Sequence, residues 1–163
     1  MSAHVYLDHA ATTPVRPEVL DAMLPYLSAE AFGNSSSAHR FGRTARAGLE
    51  QARREVAEAV GAEPNQVIFT SGGTEADNLG IVGGALAARG RGAGMGACVS
   101  AIEHKAILAA AHYVVHLGGT EVVLPVGSDG VLDLDALDRA LAEQPAVVSV
   151  MWVNNEAGVV QPV

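Results

Sequence analysis

The chain's 163 residues are enough for a domain with a real hydrophobic core. At 49% hydrophobic and 17% charged it is neither disordered nor heavily solvated, and a formal net charge of -8 argues against a nucleic-acid backbone or an anionic membrane as the main partner. Cys98 is the only cysteine, which rules out an intrachain disulfide and a cysteine-based metal cluster, and Lys105 is the only lysine.

Val5-Tyr6-Leu7 reads as a short extended piece, followed by a polar turn that ends at Pro14. No secretory leader is legible here, because Asp8 and His9 stand where its apolar stretch belongs. The longest uncharged run, between Lys105 and Glu121, is too short for a bilayer, so the cytoplasm is the expected location. Pro17 suits the first position of a helix carrying Val19, Leu20, Met23, Leu24 and Leu27, and Pro25 predicts its early end. The following loop runs from Phe32 to Gly42, rich in Gly, Asn and Ser with embedded aromatics; loops of this length are more often functional than idle. From Arg43 to Val60 the spacing predicts a long amphipathic helix. Leu49, Ala52, Val56 and Val60 mark its inner face, Arg53, Arg54, Glu55 and Glu58 its wet one, and Gly61 closes it.

Val67-Ile68-Phe69 is a wholly apolar run of the kind found in a strand buried on both faces. Ser71-Gly72-Gly73 then predicts a tight turn with glycines at positive φ and bare backbone amides. Thr74 can cap the next helix, with Asp77 completing a capping box. Strand, glycine turn and helix N-terminus make a seat for a phosphate, although such a turn can also hold nothing. The Gly-Lys-Ser/Thr of a Walker A loop and the spacing of a dinucleotide fingerprint are both absent.

The helix expected from Thr74 to Ala88 carries Gly80, Gly83, Gly84 and Ala85, small enough for close packing on a sheet. After a glycine-rich connector come a strand at Ala97–Ser100, a helix at Lys105–His116 and a strand at Val122–Leu124. A helix on Leu134, Leu137 and Leu141, with Asp133 near its start, precedes a buried strand at Val147–Val153. Strands alternating with helices predict an α/β protein with a mostly parallel sheet and flanking helices. No metal site is expected: His4, His39, His112 and His116 include one pair at helical spacing but no third ligand. The sequence stops just after a strand, at Asn154 to Val163, which suggests a piece of something larger.

Several separated stretches point the same way: Tyr6–Pro14 (Y-L-D-H-A-A-T-T-P), Phe32–His39 (F-G-N-S-S-S-A-H), Phe69–Asn78 (F-T-S-G-G-T-E-A-D-N), Ser100–Ala106 (S-A-I-E-H-K-A) and Val153–Pro162 (V-N-N-E-A-G-V-V-Q-P). Together they resemble the N-terminal portion of a cysteine desulfurase of the IscS/NifS group, in the class V branch of fold-type I pyridoxal-phosphate (PLP) enzymes. His9, Ser35 and Gly73 depart slightly from the group's pattern without removing a functional group.

The resemblance implies the first part of a fold-type I large domain over residues 16–163. Residues 1–15 would be an N-terminal arm that joins the smaller domain. It implies that the amides of Gly73 and Thr74, with the Thr74 hydroxyl, hold the phosphate of pyridoxal 5'-phosphate. His104 would stack on the pyridine ring and shuttle protons as the catalytic histidine, and Asn155 would donate a hydrogen bond to the cofactor's phenolic oxygen. Without the resemblance, His104 reads as a helix cap and Asn155 as a turn residue, a role Asn154 fits equally. Asn34 and the Ala10–Thr13 turn are further candidates for the substrate pocket.

For the whole enzyme the resemblance implies removal of sulfur from L-cysteine, giving L-alanine and an enzyme-bound persulfide. That sulfur would pass to an iron–sulfur scaffold or to a tRNA- or DNA-thiolation system. A homodimer, a sulfur-acceptor protein and the C-terminal portion of the same enzyme are the expected partners, with no direct nucleic-acid or membrane contact. The family's Schiff-base lysine, pyridine-pairing aspartate and mobile-loop cysteine are expected after residue 163. Lys105 falls beside the stacking histidine and Cys98 inside a strand, so residues 1–163 by themselves are expected to be inactive. Two alternatives stay open: another class V PLP enzyme, such as a selenocysteine lyase or an aminotransferase, and a non-catalytic truncated paralogue acting as a binding module.

Overall fold

In the computed structural model, which describes residues 4–163, the chain divides into two compact units with the boundary at Phe69–Thr70. In the first unit, proline punctuates the opening helix as its fixed φ dictates. Pro17 starts α1 (Pro17–Met23), and Pro25 lies in the 3-10 turn Leu24–Leu27 that follows. The long helix α2 (Arg40–Val60) begins three residues before the expected Arg43. His39 is its cap, Nδ1 accepting from the Gly42 amide at 3.3 Å. Gly61 ends it in the left-handed conformation, φ 67°, returning its amide to the carbonyls of Ala57 and Glu58.

Two expectations for this unit are corrected. The expected inner stripe of α2 is not covered within the unit: Leu49, Ala52, Val56 and Val60 are exposed, while Ala57 is buried and Arg53 half-buried. The covered side is the one facing the returning chain, where the Arg53 guanidinium lies 5.1 Å from the Phe69 ring centroid and donates to the Val67 carbonyl. Val67-Ile68-Phe69 is also not a strand. Val67 is extended (φ -91°, ψ 124°), but the segment joins no ladder, and Ile68 and Phe69 are 66% and 44% exposed. β-branched residues favour extended backbone, but a strand exists only where a neighbour pairs with it, and here a side chain takes the Val67 carbonyl.

The second unit carries the sheet. Strands β1 (Gly96–Ser100), β2 (Thr120–Leu124) and β3 (Val147–Ser149) are all parallel, in the order β2-β1-β3, so the α/β architecture is as expected with three strands rather than four. The chain enters the unit through one helical run: α3 (Gly73–Asn78), a π-helical turn at Leu79–Gly83, and α4 (Gly84–Gly90). Helix α5 (Lys105–His116) follows β1, and α6 (Leu134–Ala142), capped by Asp133, follows β2.

Central β1 is buried along its whole length. Ala97 and Val99 pack with Ile81, Ala85, Ile107 and Val114, and Cys98 packs on the other face with Leu124, Leu132 and Ala140. Of the small residues expected to admit close packing, Ala85 is in the core and Gly84 is the glycine at the sheet contact: a Cβ there would lie 2.7 Å from Val147 Cγ2. On α6, Leu137 and Ala140 face the core, whereas Leu134 and Leu141 are exposed. β3 ends sooner than expected because the chain leaves the ladder after Ser149, and Val153 then bridges Val160. Among the described residues no helix is long and apolar enough to cross a membrane.

Candidate functional site

Parallel β1 and β3 release their chains at the same edge of the sheet, where open α/β sheets gather ligands. At the end of β1, buried Ser100 turns the backbone: its hydroxyl accepts from the Ile102 amide at 3.3 Å and its carbonyl from Glu103 at 3.2 Å. His104 follows as the N-cap of α5, Nδ1 accepting from the Ala106 amide at 3.2 Å. With Nδ1 an acceptor, the neutral imidazole carries its proton on Nε2.

After β3 the chain turns through Asn154 and Asn155, and the geometry separates their roles. Asn154 is fully engaged: Nδ2 donates to the Ile102 carbonyl at 3.0 Å, and Oδ1 accepts from Glu156 and Ala157 at 2.9 and 2.8 Å. Asn155 is exposed, and none of these turn hydrogen bonds uses its side chain. His104, Lys105 and Asn155 line one open cleft of about 560 Å³, with Glu103 and Asn154 at its wall. A larger groove, about 650 Å³, lies in the first unit along Val19, Met23 and Tyr26. That groove is apolar, and its charged residues Arg16 and Glu18 pair with each other at 3.6 Å. Of these two, the smaller cleft is the one where several polar side chains converge at strand ends, so it is the candidate.

Gly73 and Thr74 are not on that cleft's wall. They open the helical run on α3, which packs against α5. The expected capping box is absent: Gly72 is the N-cap, without a side-chain cap, and Thr74 lies inside the helix. Neither glycine is left-handed. Gly72 is extended at φ 164°, and a Cβ at Gly72 or Gly73 would meet nothing within 4 Å. Glu75 instead reaches back to the turn, its carboxylate accepting from the Ser71 hydroxyl at 2.6 Å and amide at 2.7 Å, which hold it below the usual carboxylate range. The first-turn amides of Gly73 and Thr74 have no acceptor within their own helix.

Glu103 had no sequence-based role. It is 9% exposed and accepts from the Met151 amide, beyond the end of β3. Burial raises its pKa, the Met151 hydrogen bond opposes that, and the nearby Asp77 carboxylate adds to it. An acid closing the uncharged, mostly apolar stretch Ala97–Ile102 is the signal that marks it, since buried acids need partners. Cys98 is wholly buried and its thiol is pushed up by desolvation, in keeping with a small core residue. Among the described residues, no group of three or more His, Cys, Asp or Glu side chains is placed to hold a metal.

Comparison with known proteins extends this picture. A cysteine desulfurase IscS of Dictyoglomus turgidum is 45% identical over 163 residues, all of this chain but 41% of that protein. A solved NifS-like protein superposes with a TM-score of 0.88 at 36% identity, over 98% of this chain and 43% of its own. SspA, solved in complex with cysteine, superposes with a TM-score of 0.82 at 32% identity, over 96% of this chain and 44% of its own. The chain thus spans about two fifths of the length of the curated relatives it matches. The aminotransferase class-V family matches from residue 5 to residue 163, through both units and the cleft. The chain belongs to the class-V aminotransferase family.

Proposed function

We propose that this chain is the N-terminal part of a PLP-dependent cysteine desulfurase. In the complete protein it converts L-cysteine to L-alanine and leaves the sulfur as a persulfide on the enzyme. The observation that carries the reading is the single cleft at the ends of β1 and β3 where His104 meets the uncommitted amide of Asn155. The likeness to IscS and NifS-like proteins, and to a relative solved with cysteine, supports the substrate class.

The donor types present suit PLP, in two places: His104 and Asn155 in the cleft, and the turn and first helical residues Gly72 to Thr74 at the start of α3, outside that cleft's lining. Glycine at positions 72 and 73 is not demanded by the chain's own packing, but it lets an anion approach the backbone closely. The amides of Gly73 and Thr74, with the Thr74 hydroxyl, would hold the phosphate. When bound, the cofactor supplies an electron sink for negative charge developing on the substrate carbon. Asn155 would hold the ring by donating to its phenolic oxygen. His104 covers a ring face, and with Nδ1 committed to the Ala106 amide its transferable proton sits on Nε2.

We further infer that residues 1–15 join the smaller domain and residues 16–163 belong to the large one. The Schiff-base lysine, pyridine-pairing aspartate and sulfur-carrying cysteine come from the rest of the enzyme, so residues 1–163 alone turn over no cysteine. The enzyme works as a cytoplasmic homodimer and hands its sulfur to an iron–sulfur scaffold or a thiolation enzyme. The test incubates the complete protein with PLP and L-cysteine and measures sulfide and alanine. His104→Ala and Asn155→Ala each lower kcat by roughly tenfold or more. Absence of sulfide from the wild-type protein, or full activity in both variants, refutes the reading.

A further inference from the structure

The β1–β3 ladder ends at the pair Val99–Ser149, so beyond it no ladder bond ties the chain that carries Asn155 to the chain leaving β1. Two side-chain ties take over. Glu103, next to His104 in sequence, accepts from the Met151 amide, and the Asn154 side chain donates to the Ile102 carbonyl at 3.0 Å. Both ties join the turn after β3 to the loop between β1 and α5, the loop that presents His104.

We propose that Glu103 is a positioning residue for this site: its buried carboxylate grips the Met151 amide and sets where Asn155 stands relative to His104. The proposal rests on the reading of His104 and Asn155 as cofactor contacts. Without Glu103 the Met151 amide loses its partner, and of the two ties to the loop that presents His104 the turn keeps the Asn154 one. The carboxylate is an unusual choice for a merely structural tie, since it is desolvated and Asp77 adds a like charge nearby. Its value lies in rigidity. A fixed acceptor one residue from His104 couples the two cleft walls, and displacement of a binding group by about 1 Å can cost on the order of 100-fold in rate.

The test uses the complete PLP-loaded protein in wild-type form and as Asn155→Ala, Glu103→Ala, Glu103→Gln and the Glu103→Ala/Asn155→Ala double variant. It follows the pH midpoint of the bound cofactor's visible absorption band, PLP dissociation by fluorescence, and kcat and KM for cysteine. Asn155→Ala moves the midpoint. Glu103→Ala moves it in the same direction and lowers kcat by about 10–100-fold with less change in KM. In the double variant the second change adds little, and Glu103→Gln, which keeps an acceptor oxygen, restores the wild-type midpoint. A shift in Asn155→Ala with none in Glu103→Ala, or fully additive shifts, overturns the positioning role and leaves the cofactor reading standing. No shift in Asn155→Ala overturns the cofactor contact itself and the proposal with it. If Glu103→Ala does not fold, Glu103→Asp, whose carboxylate is one methylene too short to reach the Met151 amide in place, is read instead: a midpoint shifted toward that of Asn155→Ala supports the proposal, and a wild-type midpoint overturns it.

Discussion

Replacing Gly84 by alanine tests how closely the entry helix is seated on the sheet. The new Cβ would lie 2.7 Å from Val147 Cγ2, whereas ordinary contact begins at 3.4 Å, so at least 0.7 Å must be absorbed. Val147 is β-branched and stiff at χ1, so either it leaves its rotamer or α4 lifts from β3. Overpacking of this kind costs about 1–3 kcal/mol. Against it stands the gain of alanine over glycine in a helix, about 1 kcal/mol, leaving a net loss of about 0–2 kcal/mol. Gly80→Ala, in the same helical run, is the control, because its Cβ meets nothing within 4 Å and only the propensity gain remains. The difference between the two variants is then the overpacking cost alone. With a urea slope of about 2 kcal/mol per molar, it separates their unfolding midpoints by roughly 1 M. The assay is urea unfolding of the complete protein followed by circular dichroism, with Gly84→Ala/Val147→Ala as the relief variant. Equal midpoints for Gly84→Ala and Gly80→Ala, or no relief from trimming Val147, refute the close seating.

On the proposed reading, Thr74→Ala in the complete protein removes a hydroxyl donor to the phosphate. It weakens PLP retention by about 1.5–3 kcal/mol, or 10–150-fold, measured as the dissociation constant by fluorescence; unchanged affinity removes Thr74 from the site. Cys98, buried and with its thiol pushed up, resists iodoacetamide in the native protein and reacts once denaturant is added, and fast native labelling contradicts its core placement. Glu75 is held below its ordinary value of 4.5, so its contribution to stability is present above that value and is lost as pH falls through the folded-state pKa; the difference in unfolding midpoint between wild type and Glu75→Gln disappears in acid. Glu103 is shifted the other way. From pH 4.5 up to its raised folded-state value the native protein keeps a proton that the unfolded chain has released, so stability falls as pH rises, and Glu103→Gln removes that decline.

The sequence by itself determined the elements whose signals are local. Pro17 and Gly61 mark helix ends through backbone sterics, and α5 occupies the expected Lys105–His116. Alternation of strands and helices carried the α/β architecture, and β1 was legible because an apolar run needs cover on both faces. Decisions that depend on distant neighbours were made only in the tertiary structure. Val67–Phe69 has a strand's composition but no ladder, because pairing is a property of two segments and not of one. The covered side of α2 follows Phe69 and Arg53 instead of its apolar stripe. Asn154 and Asn155 are the same residue type side by side, and what separates them is a carbonyl 52 positions away that engages one amide. Glu103 likewise has its partner 48 positions along the chain. A hydrogen bond between segments so far apart follows from the topology that brings two strand ends together, and local sequence pattern carries no trace of it.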